Sequence, residues 1–362
     1  MLIGATLGRY LSLRFARTIL AVFTTVFALV YTLDFVELMR RAGDAENAGA
    51  GLMARLALFR TPAVAEQVFP FAVLFGSMAA LLQLSRKLEL VVARAAGISA
   101  WQFLQPGLLV AGIIGLVSVA AYNPVSAILK QKASEIEARI FARSTKVTSG
   151  KDVWIRQRDV DGQAILRAEA AVEGTTTLAR VTVFTYTEAG VFQERVEARE
   201  ATLHDGYWEF SDVRVIRQDD DPQSYGTYLI ASNLDPGQMR QTFTPPGSVP
   251  FWELHDTIER TERAGLDATR YRLQHDVLLA RPLLFIAMVF VAASVSLRFF
   301  RFGGVAKMVL GGVAAGFALY VATEVMEDLG GSGLIRPVIA AWFPAVVGSL
   351  LGTLALLYQE DG

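Results

Sequence analysis

Charged side chains beside long apolar runs are the strongest candidates for chemistry in this chain. In the stretch "DFVELMRRAGD", Asp34 to Asp44, two arginines, Arg40 and Arg41, follow an apolar run. An arginine guanidinium binds phosphate through a planar fork, so this pair could hold an anionic ligand. Arginines also anchor helix ends at a membrane surface, and the residues alone leave both interpretations open.

A second stretch, "SRKLELVVARAAGIS" from Ser85 to Ser99, combines helical spacing with charge. Apolar residues recur at i, i+3, i+4 and i+7, namely Leu88, Val91, Val92 and Ala95. Its charged residues exclude it from hydrocarbon. Such a helix either lies in the headgroup layer of a membrane or docks its apolar side into a groove of a soluble partner.

Residue patterns typical of catalysis and metal binding are missing from the sequence. The three histidines are scattered without ligand spacing such as H-E-x-x-H, and stand at His204, His255 and His275. The sequence contains neither a G-x-S-x-G elbow nor a G-x-x-x-x-G-K-[ST] phosphate loop. It also lacks cysteine, which excludes disulfides and thiolate zinc sites. We therefore expect no catalytic residue, metal or cofactor, and any nucleotide site belongs to a partner.

Composition indicates a membrane protein. Of 362 residues, 53% are hydrophobic, and the mean hydropathy is +0.38. The net charge of −1 argues against a nucleic-acid partner. A membrane-spanning helix needs about 20 mostly apolar residues. Six stretches come close to this length, at roughly 12–33, 62–84, 102–122, 277–298, 305–323 and 338–358.

Basic residues in the short loops predict the orientation of the spans. They flank span 1 and fill the loops between spans 2 and 3 and between spans 4 and 5, as Arg9, Arg14, Arg17, Arg86, Lys87, Arg94, Arg298, Arg301 and Lys307. Both termini and these loops are then expected in the cytoplasm, and the segment between spans 3 and 4 outside. Because the chain has no cytoplasmic domain, the helix at Ser85–Ser99 is better interpreted as a docking site for a soluble partner.

The outside segment changes to short runs in which polar and apolar residues alternate, as in β-strands. Six such runs are "DVWIR", "QAILRAEA", "ARVTVFTYT", "VFQERVEAREATL", "YWEFSDVRVIR" and "YGTYLIA". They predict an inserted all-β, jelly-roll-like domain, followed by a helix in "FWELHDTIERTERAG". The expected domains are 1-122 with spans 1 to 3 and the helix 85-99, 123-250 as the β-domain, 251-276 as a connecting helix, and 277-362 with spans 4 to 6.

Several stretches together resemble the permease subunits of the lipopolysaccharide export ABC transporter, the LptF/LptG (YjgP/YjgQ) family, in its LptG-like branch. They run in order along the chain as "RYL", "FVELMRRAG", "FPFAVLFGSMAALLQLSRKLELVVARAAGIS", "LHDTIERTERAGLDATRYRLQ" and "GFALYVATEVMEDLG". The resemblance implies an α-helical polytopic protein of the Gram-negative inner membrane. Its six transmembrane helices carry a periplasmic all-β, jelly-roll-like domain, and both termini are cytoplasmic.

The resemblance also implies a function and partners. In this family a heterodimer of homologous permeases is powered by a cytoplasmic ABC ATPase dimer. It extracts lipopolysaccharide from the inner membrane and passes it to a periplasmic bridge protein of jelly-roll type. The chain would then be a transport subunit and not an enzyme. A membrane-anchored scaffold or sensor with a periplasmic β-domain is the alternative, and an ion-coupled carrier is a further one.

Two sites follow from the resemblance. The helix at Ser85–Ser99 would be the coupling helix that fits a groove of the ATPase, with Glu89 as its charged contact. The implied coupling residues are Glu89, Leu90, Arg94, Ala95 and Gly97. The implied lipid-binding residues are Asp34, Phe35, Leu38, Arg40, Arg41, Lys130, Lys132, Phe317 and Tyr320. Asp34 departs from the family pattern, since a basic residue can occupy its place.

Overall fold

A computed structural model describes most of the chain, in two compact units. The described residues are 4–42, 49–140, 153–159, 162–171, 176–187, 191–217, 221–232, 245–263, 267–302 and 305–360. One unit comprises Met1–Ala133 and Pro246–Gly362, and the other Ser134–Pro245. The helices, in chain order, are α1 (Ala5–Ala42), α2 (Ala50–Arg86), α3 (Glu89–Ala95), α4 (Ala100–Val117), α5 (Asn123–Ile140), α6 (Phe251–Arg263), α7 (Thr269–Phe302), α8 (Val305–Gly331) and α9 (Pro337–Glu360).

Six helical segments in the described part of the chain are long and apolar enough to cross a membrane, which confirms the predicted number of spans. They are α1, α2, α4 with α5, α7, α8 and α9. Several of the helices continue beyond the predicted apolar runs. Hydropathy marks only the part of a helix that matches hydrocarbon, whereas the backbone hydrogen bonds of a helix continue into water.

Small residues bring the helices of the first unit into close contact. A Cβ on Gly76 of α2 would lie 2.5 Å from the Ile19 Cα of α1, and a Cβ on Gly115 of α4 would lie 2.5 Å from the Pro282 Cα of α7. Such backbone contact is typical of membrane helices, where small residues allow close packing. Four glycines of α8 and α9 likewise face side chains of the same chain, namely Gly312, Gly316, Gly348 and Gly352.

The helices α1 and α8 are covered least by the rest of the chain. In the apolar centres of α1 and α8, 6% and 11% of the residues are buried, compared with 33–56% in the other four spans. Leu29 and Leu33 of α1 are 58% and 62% exposed. A large apolar helix face that its own chain leaves uncovered must meet lipid or another protein.

The segment Ser85–Ser99 contains a shorter helix than predicted. α2 runs to Arg86, Leu88 adopts a left-handed backbone conformation with φ 59°, and α3 covers only Glu89–Ala95. A left-handed residue ends the helical run, so the chain turns between α2 and α3. Ser99 then caps α4, because its Oγ accepts from the Gln102 backbone N–H at 3.3 Å while the Gln102 side chain accepts from the Ser99 N–H at 3.1 Å.

The second unit is an antiparallel sheet whose strands match all six predicted runs. They are β1 (Val153–Asp159), β2 (Gly162–Ala171), β3 (Thr177–Tyr186), β4 (Phe192–His204), β5 (Tyr207–Arg217) and β6 (Gln223–Ala231). Each described strand pairs with its neighbour in sequence, which makes the sheet a meander. A jelly roll instead joins two sheets through Greek-key connections. The inserted all-β domain is confirmed, but its connectivity differs, since alternation predicts strands and faces and not strand order.

This sheet is curled, so that its first strand reaches its last. The Gln157 side chain of β1 donates to the Ala231 carbonyl of β6 at 3.0 Å. Its Oε1 accepts from the Trp208 indole N–H at 3.2 Å and from the Ser232 hydroxyl at 2.8 Å. The apolar side chains of the concave face, with Trp208 and Phe210 fully buried, form the core.

Candidate functional site

The short helix α3 exposes an apolar face at the turn after α2. Leu90 is 7% exposed and packs in a cluster with residues of α1, α2 and α4, which fixes α3 to the bundle. Leu88, Val91 and Val92 point away from that cluster and are 63%, 58% and 66% exposed. Apolar side chains grouped on an exposed helix, with charges beside them, form a surface suited to a protein groove.

The carboxylate of Glu89, predicted as the charged coupling contact, is bound within the chain by α1. The Tyr10 hydroxyl donates to Glu89 Oε2 at 3.0 Å, and Arg14 Nη1 donates to Glu89 Oε1 at 3.2 Å. Arg14 also donates to the Tyr10 hydroxyl, and its Nη2 lies 3.4 Å from the Gln83 amide oxygen of α2. The side chains of Arg14 and Glu89 are 13% and 32% exposed. We call these three residues the Tyr10–Arg14–Glu89 cluster.

Sequence reasoning missed this cluster. Arg14 was used only as one of the basic residues that predict the orientation of the spans, and Tyr10 only as part of the stretch "RYL". The one sequence feature that could have indicated the contact is that Arg14 and Glu89 carry opposite charges and are expected at the same side of the membrane. This feature does not predict which basic residue pairs with Glu89, because several basic residues are expected on that side.

The remaining coupling candidates have different environments. Arg94 and Ala95 are exposed, so both can contact a partner. Gly97 has φ 81° and ends α3, where its N–H donates to the Arg94 carbonyl and the Ile98 N–H donates to the Ala93 carbonyl. This hydrogen-bond pattern is a Schellman motif, which requires a left-handed residue. Gly97 therefore shapes the turn after α3.

At its other end α1 carries a compact group of charges. Glu37 accepts from Arg40 at 2.9 and 3.0 Å and from Arg41 at 2.9 Å. Both arginines remain accessible, with 77% and 53% of their side chains exposed. Asp34 lies 3.5 Å from Arg60 of α2. The i+3 and i+4 spacing of Glu37 was a usable sequence signal, but Glu37 was not among the predicted residues.

The other predicted lipid contacts are distributed over several elements. Phe35 is half-buried and stacks on Tyr31, whereas Leu38 is fully buried inside the chain. Phe317 of α8 is 59% exposed, and Tyr320 packs its ring 5.3 Å from that of Phe71. Lys132 of α5 is exposed, and Lys130 lies beside Gly247. The structure thus groups five candidates on the last turns of α1, namely Asp34, Phe35, Leu38, Arg40 and Arg41, and places Phe317 and Tyr320 on α8 and the two lysines on α5.

A buried polar group joins four helices of the first unit. Arg281 of α7 pairs with Glu66 of α2, and the two side chains are 13% and 10% exposed. Asn123 donates to Glu66 at 2.9 Å and accepts from the Phe251 N–H of α6 at 3.0 Å. Neither Glu66 nor Arg281 was among the predicted site residues, and sequence reasoning missed their pairing.

A π-helix, Ser118–Tyr122, positions this group between α4 and α5. The Tyr122 hydroxyl donates to the Pro62 carbonyl at 3.0 Å, and the Trp252 indole donates to the Ala120 carbonyl at 3.1 Å. A π-helix shifts the helical register, which leaves carbonyl groups available to other partners. Within the described ranges, no three His, Asp or Glu side chains lie together as metal ligands do. The arrangement as a whole provides contact surfaces and fixed charges.

Comparisons with known proteins agree with this architecture. The family model described as "Lipopolysaccharide export system permease LptF/LptG" matches residues 9–359. The chain is 23% identical to the lipopolysaccharide export system permease protein LptG of Escherichia coli strain K12 over 98% of both chains. It is 22% identical to the LptG of Haemophilus influenzae over 97% of this chain and 96% of that one. With a match across nearly its whole length, the chain belongs to the LptF/LptG family of lipopolysaccharide export permeases.

Proposed function

We propose that the chain is the LptG-like permease subunit of an ABC transporter that extracts lipopolysaccharide from the Gram-negative inner membrane. It pairs with a homologous permease, is driven by a cytoplasmic ABC ATPase dimer, and passes lipid to a periplasmic bridge protein of jelly-roll type. One observation carries the proposal: α1 combines a basic pair, a long uncovered apolar face and a contact with α3 on a single helix.

The proposed lipid site lies on α1 and α8, whose apolar and basic groups suit the two parts of an amphiphile. The exposed apolar side chains of α1, with Phe317 of α8, offer a surface for acyl chains. The guanidinium groups of Arg40 and Arg41 offer forks for phosphates beside that surface. Each CH₂ removed from hydrocarbon costs about 0.8 kcal/mol, so extraction of several acyl chains requires an energy source. The ATPase supplies this energy in the proposed complex.

The orientation follows from the same proposal. The basic residues at the α3 end of the bundle favour a cytoplasmic location for that end and for both termini. The β-domain, between α5 and α6, then lies in the periplasm, where the bridge protein receives the lipid. The ATPase docks on the exposed face of α3 through Val91, Val92 and Arg94. Glu89 lies at the rim of that face.

Replacing Val92 with glutamate is expected to reduce recovery of the ATPase with the permease at least tenfold. A charge at a position that is 66% exposed leaves the fold intact but opposes burial in a partner groove. Co-purification from native membranes and lipid-stimulated ATP hydrolysis provide the measurement. Val191→Glu is the matched control, because Val191 is 62% exposed in the β-domain.

Two outcomes of this experiment would count against the proposal. Equal ATPase recovery from the Val92→Glu and Val191→Glu variants would exclude α3 as the docking surface. A wild-type chain that brings down no ATPase and stimulates no hydrolysis would instead favour the scaffold or sensor.

Replacing Glu37 with glutamine is expected to increase retention of lipopolysaccharide severalfold. The substitution removes a carboxylate that now occupies the guanidinium groups of Arg40 and Arg41, and so leaves both free for lipid phosphates. Bound lipid is measured by mass spectrometry of the complex purified from native membranes. Glu253→Gln, on the exposed surface of α6, is the control with the same change of charge. Lower lipid retention in Glu37→Gln than in this control would contradict a phosphate site at the arginine pair.

A further inference from the structure

We propose that Tyr10 and Arg14 are positioning residues that connect α3 to α1 through the Glu89 carboxylate, and so transmit movement of α3 to the lipid end of α1. The inference deepens the proposed function, because it assumes that the ATPase docks on α3. It assigns a role to an intramolecular contact, in addition to the surface that meets the partner.

The geometry of the cluster supports a mechanical role. Arg14 contacts Gln83 of α2 and Glu89 of α3 while its own backbone belongs to α1. Its side chain is only 13% exposed, so solvent screens the ion pair less than it screens a surface pair. The Tyr10 hydroxyl gives Glu89 a second donor from the same helix. Two donors from adjacent turns of α1 restrain both the position and the direction of the Glu89 side chain.

The helix α1 is suited to carry a displacement. It runs as one helix from Ala5 to Ala42, so the 31 steps from Tyr10 to Arg41 cover about 46 Å at about 1.5 Å per residue. Its apolar centre has 6% of its residues buried, so the uncovered face of α1 does not resist a shift or rotation, although its other face packs closely on α2 at Ile19 and Gly76. A movement of α3 at one end is therefore delivered to the arginine pair at the other.

Leu90 and the cluster have different roles in this arrangement. Leu90 fixes α3 to the bundle by burial among residues of several helices. That apolar contact has no direction, since it consists of packing alone. The ion pair and the hydroxyl contact are directional, and both donors to Glu89 come from α1, so they favour α1 as the helix that moves with α3.

A charge exchange between positions 14 and 89 tests the proposal. The variants Arg14→Glu, Glu89→Arg and their combination are placed in the complete transporter complex in proteoliposomes. Lipopolysaccharide transferred per ATP hydrolysed is the readout. We expect each single variant to lower this ratio at least tenfold, and the combination to restore it to within about threefold of the wild-type value. A combination as poor as the single variants would overturn the proposal and show that Glu89 acts outward, on the ATPase.

Two further variants separate the role of the cluster from folding. Tyr10→Phe removes only a hydroxyl, and we expect it to lower the transfer ratio two- to fivefold with an unchanged thermal midpoint. Arg17→Glu makes the same change of charge as Arg14→Glu at an exposed position of α1, and should leave the ratio unchanged. An unchanged ratio in Tyr10→Phe, or an equal loss in Arg17→Glu, would contradict a specific role of the cluster.

ATPase content measured in the same preparations distinguishes the two proposals. If the wild-type complex retains no ATPase, the proposed function itself is wrong. If the ATPase is retained and the charge exchange fails, only the transmission through α1 is wrong.

Discussion

Replacing Arg281 with glutamine is expected to lower the free energy of unfolding of the helical unit by about 3–5 kcal/mol. The change leaves the Glu66 carboxylate, with its side chain 10% exposed, without the guanidinium that pairs with it. An unpaired charge at a site with so little exposure raises the free energy of the folded state, and a membrane offers little water to replace the lost partner. Thermal unfolding in detergent and the yield of monodisperse protein give the measurement.

The double variant Glu66→Gln/Arg281→Gln separates the lost charge from lost packing. It removes both charges, while the glutamine at position 66 still offers an oxygen to the Asn123 amide, now 2.9 Å from Glu66. We expect it to recover most of the stability lost by Arg281→Gln. Arg260→Gln, at an exposed position of α6, should change stability by less than about 0.5 kcal/mol. If the double variant were no more stable than Arg281→Gln, the loss of stability would not come from the unpaired Glu66 charge.

Spans and strands were predictable because their signals are local. Hydropathy over about 20 residues predicts a membrane helix, and alternation over a few residues predicts a strand. All six strands and the number of spans followed from such patterns. The sheet order did not, because each strand carries the same alternation whichever neighbour it pairs with.

Contacts between distant residues were not predictable in the same way. Arg14 and Glu89 are 75 positions apart, and Glu66 and Arg281 are 215 apart. The sequence places each charge near an end of an apolar run but does not select its partner among several. The left-handed Leu88 was also unpredictable, since leucine favours helix and neither glycine nor asparagine marks the turn. The sequence did predict the basic pair Arg40 and Arg41 on α1. Their contacts with Glu37 could also have been predicted, because residues three and four positions apart are neighbours on a helix surface.

Replacing Gly115 with alanine is expected to destabilise the helical unit by about 3 kcal/mol, although alanine is the better helix former. The new methyl group would lie 2.5 Å from the Pro282 Cα, and the obstacle is backbone, which cannot rotate away. α4 and α7 must then separate, and the other contacts along their interface weaken. The thermal midpoint of the purified chain in detergent gives the measurement.

Gly112, one helical turn earlier on α4, provides the matched control. A Cβ there would meet the Ile286 side chain at 3.5 Å, which is an ordinary van der Waals distance. Gly112→Ala should therefore be neutral, or stabilise by up to about 1 kcal/mol through its helix propensity. The two substitutions share chemistry, helix and membrane environment, and differ only in what the methyl group meets. Equal midpoints for both variants would show that backbone contact at Gly115 does not determine the packing of α4 against α7.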